Sequence, residues 1–166
     1  KIAAQRIAWG KTLNAGQTCI APDYLLIHHS VTEKFITEFK KALTVLHGED
    51  IKTSRHFVRI VNDKAFKRVS GYLKEGRIVL GGNFDEKERY IEPTLLTDIK
   101  PTDRVMQEEI FGPVLPMVPF STRDEAIRFI REREKPLALY YFGKVKNGKE
   151  VIRLTSAGGS CINDTI

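Results

Sequence analysis

Apolar positions along the chain recur at two periods, and the periods alternate. Residues 2–13 place Ile2, Ala3, Ile7 and Leu13 at helical spacing, whereas the run Tyr-Leu-Leu-Ile-His-His over residues 24–29 has strand character. Ser30 and Glu33 then have the form of a capping box. They precede Phe35, Phe39, Leu43 and Leu46 on one helical face, with Gly48 as a natural stop. Asn62 is placed to cap a further helix whose apolar face is Phe66, Val69 and Leu73, ending at Gly76.

The same alternation continues downstream. Residues 77–82 (Arg-Ile-Val-Leu-Gly-Gly) predict a strand, and residues 90–99 another extended segment, held out of the helical region ahead of Pro93. Residues 115–120 form a third apolar run, after which Thr122 and Glu125 cap a helix carrying Ala126, Ile127 and Ile130. A strand over 137–143, a helix around 150–155 and a strand over 158–163 complete the series. Strands that are apolar throughout, separated by capped helices, predict an α/β fold. The expected form is a three-layer α/β/α domain with a mostly parallel sheet of about five or six strands. Residues 1–166 are expected to form one domain, with no internal repeat and no linker.

Composition narrows the partners. The chain has 27 basic and 21 acidic residues, a net charge of +6, but the basic residues lie scattered among glutamates on polar helix faces. No basic stripe runs beside stacking aromatics, so nucleic acid is not expected as a partner. Two cysteines, Cys19 and Cys161, make neither a disulfide framework nor a CxxC pair, so no metal site is expected. No segment has the length of a membrane span and no signal peptide precedes the first helix. A cytoplasmic setting is expected, with membrane anchoring of a longer parent left open. The chain opens at Lys1, already inside a helical pattern, which is expected of a piece of something longer.

The segment Asn14-Ala-Gly-Gln-Thr-Cys19-Ile-Ala-Pro22 is where chemistry is expected. A nucleophilic cysteine must form a thiolate, be reachable, and face donors that stabilise the oxyanion it creates. Small, polar, turn-forming neighbours leave Cys19 accessible, and Gly16 lets the chain turn sharply and bring backbone N–H groups toward the sulfur. Thr18 is small enough to leave room for a substrate beside the thiol. The residues alone are equally compatible with a semi-buried, inert loop cysteine.

The form N-x-G-Q-x-C at residues 14–19 and the segment Glu-Glu-Ile-Phe-Gly-Pro-Val at 108–114 together resemble two signatures of the aldehyde dehydrogenase superfamily. The variant spelling at 16–24, the segment 132–140 and the ending from Gly158 to Asp164 resemble its class 3 branch, which handles medium- and long-chain aliphatic and aromatic aldehydes. The resemblance runs in order along essentially the whole chain. It implies an NAD(P)-dependent enzyme that oxidises aldehydes to carboxylic acids through a cysteine thiohemiacetal and thioester. Cys19 would be the nucleophile, with its own backbone N–H holding part of the oxyanion. Glu109 would hydrogen-bond the nicotinamide ribose hydroxyls, since a carboxylate can accept from both at once. Phe111 would pack beside the cofactor.

The resemblance also implies what lies elsewhere. The dinucleotide-binding domain, which carries the oxyanion-hole asparagine and the glutamate that activates the deacylating water, has no counterpart in this sequence. NAD or NADP would be held mainly by that missing domain, and the segments that build the parent's homodimer are missing as well. The chain is therefore expected to be the cysteine-bearing catalytic domain of a longer enzyme and inactive alone. The alternative is a non-catalytic α/β interaction module with an inert thiol. Glu108 is expected to be structural, His28 and His29 surface or capping groups, Cys161 a core residue, and Asn163 a support for the Cys19 loop.

Overall fold

A computed structural model describes all of residues 1–166. Its centre is the longest strand, β6 (Val114–Phe120), whose first four residues are buried. β6 pairs in parallel with β1 (Leu25–His28) on one side and with β5 (Thr94–Thr97) on the other. β5 in turn pairs antiparallel with β2 (Arg77–Leu80), giving the order β1-β6-β5-β2. A second, parallel pair joins β7 (Ala138–Tyr141) to β8 (Gly159–Ile162). A small antiparallel hairpin of β3 (Phe84–Asp85) and β4 (Tyr90–Ile91) stands apart from both. The expected α/β fold with a mostly parallel sheet is present. Its six main strands are divided four and two, because no ladder joins β1 to β7.

Helices α1 (Ile2–Thr12) and α2 (Thr32–His47) pack against each other, and their buried residues, Ala4, Ile7, Ala8, Phe35, Phe39 and Leu43, join one core with Leu95, Leu96, Val114 and Leu115 of the sheet. α3 (Asp63–Gly71) adds Phe66 and Val69 to that core, while α4 (Arg123–Arg131) and α5 (Val145–Leu154) bury mainly Ile127 and Val151. Two of the expected caps form: Asn62 accepts from the Ala65 N–H at 2.8 Å, and Thr122 accepts from the Glu125 N–H. The expected Ser30–Glu33 box does not. His28 accepts from the Ser30 N–H instead, a short 3₁₀ turn intervenes, and α2 starts without a side-chain cap. α1 also differs from its pattern, since Ile2 and Leu13 are exposed and Lys11 is buried. No helix is long and apolar enough to cross a membrane.

Between the free edges of β1 and β7 runs an apolar groove of about 400 Å³. α1 and α2 contribute Ala3, Ile7 and Phe35 to its lining, and α4 and α5 contribute Ile127, Ile130 and Val151. Tyr140 of β7 spans one end, its hydroxyl donating to the Ile20 carbonyl at 2.7 Å. Cys19 lies on the lip of the same groove.

Lys11 is 1% exposed and its ammonium makes no hydrogen bond or ion pair. Burial pulls its pKa from the ordinary 10.5 down to about 8, against a smaller opposing pull from Asp23. The folded chain therefore binds fewer protons than the unfolded chain between those values, and Lys11 makes stability rise with pH from about 8 toward 10. Buried tyrosines act with the opposite sign: burial pushes Tyr72 up to about 12 and raises Tyr90 as well. Above the ordinary tyrosine pKa of 10.0 the unfolded chain ionises first, so their contribution falls there. In urea unfolding, Lys11→Met should raise stability at pH 7 by about 1–3 kcal/mol and remove the rise between pH 8 and 10. A variant less stable at pH 7 that keeps the alkaline rise would contradict this account of Lys11.

Candidate active site

The residues of the N-x-G-Q-x-C segment each have a physical task. Asn14, Ala15 and Gly16 lie in succession at φ 51°, 54° and 74°, a left-handed turn that ends α1 and reverses the chain. Asn14 tolerates this region better than most residues and donates from its side chain to the Gln17 carbonyl at 3.0 Å. At Gly16 a side chain would be excluded twice over. Its φ disfavours one, and a Cβ would fall 2.3 Å from the Gly112 carbonyl oxygen. Gln17, 8% exposed, spends its whole amide on backbone: it donates to the Asn14 and Arg59 carbonyls and accepts from the Val61 N–H at 2.9 Å. The loop is thus fixed at both ends of the motif, and two residues on the chain emerges at Cys19, which is exposed. The backbone N–H of Cys19 has no partner within the chain. The Thr18 hydroxyl is buried without one.

The second signature is held against the first. Asp23, just after the cysteine loop, accepts from the Ile110 N–H at 3.0 Å. From the other side the Arg68 guanidinium of α3 donates to two successive carbonyls, Glu109 and Ile110, each at 2.9 Å. Its planar fork is also bonded to the Tyr72 hydroxyl. With Ile110 buried, Glu109 and Phe111 on either side of it face outward. The Glu109 carboxylate makes no hydrogen bond or ion pair, whereas Glu108 is paired with Arg104 at 3.2 Å. Phe111 has φ 46°, a conformation that costs a bulky residue about 1–3 kcal/mol and persists only where the surroundings impose it. Here Arg68, Asp23 and the Gly16–Gly112 contact impose it.

Two sequence-based expectations need correction. Cys161 is half-buried rather than in the core, because β8 is an outer strand with exposed Gly159 and Ser160. Asn163 does not support the Cys19 loop. It bonds both backbone groups of Gly143 and ties the ends of β7 and β8. α1 is braced by its successors instead: Asp164 pairs with Arg6 at 3.2 Å, and the Thr165 hydroxyl donates to the Arg6 carbonyl. Arg68, Asp23 and Tyr140 escaped the sequence reading. Arg68 looks like one more cation on a helix face, and only the tertiary structure shows its carbonyl partners.

Gly16→Ala should destabilise the chain by more than about 2 kcal/mol in urea unfolding, because strain and backbone overlap add. A change below about 0.5 kcal/mol would remove the contact with Gly112 as a constraint. With iodoacetamide, exposed Cys19 should be carboxymethylated before Cys161. Equal labelling, or Cys161 first, would count against an accessible thiol at Cys19.

Fold and site together define an α/β domain that presents one thiol on a constrained loop, beside a second loop bearing an unpaired carboxylate and an exposed aromatic ring. The chain belongs to the aldehyde dehydrogenase family, whose family model matches residues 1–166. It is 49% identical over 166 residues to the rat "Aldehyde dehydrogenase, dimeric NADP-preferring" and 51% identical to the mouse "Aldehyde dehydrogenase family 3 member A2". Each alignment takes in 99% of this chain but only 37% and 34% of the relative, so the chain spans about a third of their length. Among solved structures, a substrate-bound aldehyde dehydrogenase of Staphylococcus aureus superposes at TM-score 0.96 with 48% identity. It is matched by all of this chain over 37% of its own length. An aldehyde dehydrogenase of Mycobacterium tuberculosis complexed with NAD+ superposes at 0.84 with 26% identity, again over 37% of its length.

Proposed function

We propose that this chain is the cysteine-bearing catalytic domain of an NAD(P)-dependent aldehyde dehydrogenase, working only within a longer parent. The observation that carries this reading is the exposed Cys19 on a loop locked to the Glu109–Phe111 segment through Gly16, Gly112 and Asp23. Cys19 attacks the aldehyde carbon as a thiolate, forming the C–S bond, and the carbonyl π pair becomes an oxyanion. The unpartnered backbone N–H of Cys19 is a donor for that oxyanion. A bound nicotinamide would supply the hydride acceptor, and loss of hydride from the former aldehyde carbon would leave an acyl thioester on the Cys19 sulfur. Water then attacks the thioester, releasing the carboxylic acid and returning the thiol; the base for this step comes from the parent.

The donor set fits one part of such a cofactor. An unpaired carboxylate suits a ribose diol, and the exposed Phe111 ring offers an apolar surface beside it. Glu109 would hold the sugar and Phe111 would limit where the ring can lie, with the remainder of NAD or NADP held by the rest of the parent. A relative named for NADP preference and a dimeric state supports the cofactor class and a homodimeric parent. Relatives named as aldehyde dehydrogenases support an aldehyde substrate, and the class 3 resemblance of residues 16–24 and 132–140 points to medium- or long-chain aliphatic and aromatic ones. Two free cysteines accord with a reducing, cytoplasmic setting.

One ribose contact cannot hold a dinucleotide, since association entropy alone costs several kcal/mol. The isolated chain should therefore form no NAD(P)H from aldehyde, while the full-length parent does. In the parent, Cys19→Ala should lower kcat by at least about 10³-fold. Glu109→Gln should lower it about ten-fold or more by loosening the placement of the ring. Absorbance at 340 nm reads all four proteins. Robust turnover by the isolated chain, or an unimpaired Cys19→Ala parent, would overturn the proposal.

A further inference from the structure

One peptide unit of the second signature lies between two opposite charges. The Glu109–Ile110 peptide carries the Glu109 carbonyl and the Ile110 N–H. The carbonyl accepts from the Arg68 guanidinium at 2.9 Å, and the N–H donates to the Asp23 carboxylate at 3.0 Å. A peptide unit is planar and dipolar. Here its negative end meets the cation and its positive end the anion. A flipped peptide would bring the carbonyl oxygen against Asp23 and the N–H against Arg68, so both contacts would turn repulsive. Hydrogen bonds with one charged partner are roughly twice as strong as neutral ones, so a single orientation is strongly selected.

Arg68 is itself held. It also donates to the Ile110 carbonyl at 2.9 Å, and it is bonded to the hydroxyl of Tyr72, which is fully buried. The Arg104 guanidinium lies 5.8 Å from the centre of the same ring. Glu75, at the end of the turn after α3, accepts from the Val105 N–H at 2.8 Å, so α3 and that turn grip the 105–110 segment at both ends. Asp23 comes from elsewhere, from the loop that carries Cys19. Glu109 directly precedes the held peptide, Ile110 is buried, and Phe111 follows it. We infer that Asp23 and Arg68 act as one clamp on the Glu109–Ile110 peptide, and so are positioning residues for the nicotinamide cofactor that Glu109 and Phe111 would receive. The cofactor part rests on the function proposed above. The thiol loop supplies the anion and α3 the cation, so the direction of the Glu109 carboxylate is set in part by the loop that carries the thiol.

The test uses the full-length parent without cofactor, as Asp23→Ala, Arg68→Met and the double variant. Hydrogen exchange, read by mass spectrometry with fragmentation to single amides, follows Ile110. Arg68 touches only carbonyls, so as an independent brace it would leave the Ile110 amide indifferent to its loss. A clamp predicts that each single variant speeds Ile110 exchange at least about ten-fold, while the amides of β5 and β6 keep their protection. Each bond holds the peptide in place for the other, so the double variant should fall at least about three-fold short of the product of the single effects. Where either truncation unfolds the protein, Asp23→Asn and Arg68→Lys carry the same cycle with smaller changes, because each keeps one partner for the peptide. Fluorescence titration with NADH and NADPH reads the cofactor, whose Kd should rise about three- to ten-fold in each single variant. An Ile110 amide unmoved by the loss of Arg68, or a double effect equal to the product, would overturn the clamp. An unchanged Kd in both single variants would overturn its positioning role. A parent that binds neither cofactor, yet shows the coupled exchange at Ile110, would refute the proposed function and leave the clamp standing. An aldehyde-oxidising parent whose Ile110 amide ignores Arg68 would do the reverse.

Discussion

The contact between Gly16 and the Gly112 carbonyl is the constraint on which the rest of the site depends. It brings the backbones of two distant segments closer than any side chain at position 16 would permit. A left-handed turn of three residues delivers Gly16 to that contact, at a cost of about 1–2 kcal/mol for Ala15, which has no special tolerance for the region. The cost is offset by bonds that exist only in this geometry. Gln17 is satisfied by Arg59 and Val61, Ile110 by Asp23, and the Glu109 and Ile110 carbonyls by Arg68. Each such bond adds about 1 kcal/mol net, and each would leave a polar group unpaired if the loops separated.

That arrangement explains how a rigid scaffold yields an exposed thiol. The residues of the loop that bear on the core, Ala15, Gly16 and Gln17, are buried, and the two to which the proposed function gives chemistry, Cys19 and, across the contact, Glu109, are not. Phe111 is held outward in a strained backbone conformation by the same bonds. Rigidity matters for the proposed chemistry because its nucleophile and its cofactor-positioning carboxylate sit on separate loops that would otherwise drift relative to each other, and small misplacements carry large rate penalties. Lys11, buried without a partner where α1 meets this loop, is a feature that the proposed chemistry does not use.

Much of this was legible in the sequence because it is local. Apolar runs and the capping residues Asn62 and Thr122 act over a few positions, and they predicted the α/β alternation and the starts of α3 and α4, whereas α5 begins at Val145, ahead of the helix expected around 150–155. The signature residues Cys19, Glu109 and Phe111 were legible through their resemblance to a family, and the structure gives Gly16 and Gln17 their physical reasons. What could not be read was non-local. Arg68 and Asp23 act on residues 41 and 87 positions away, Tyr140 on one 120 away, and none carries a pattern that announces its partner. The Ser30–Glu33 box failed because a nearer competitor, His28, takes the Ser30 N–H. The split between β1 and β7 was invisible for a different reason: strand runs give the number of strands but not which edges meet.

The central claim is that the loop from Asn14 to Cys19 delivers the reacting thiol. Its most direct test is a covalent one. The full-length parent, mixed with NAD(P)+ and a slowly deacylated aldehyde and quenched in acid, should yield a peptide containing Cys19 that carries the mass of the acyl group. Acylation found on Cys161, or turnover at full rate with iodoacetamide already covalently bound to Cys19, would contradict it.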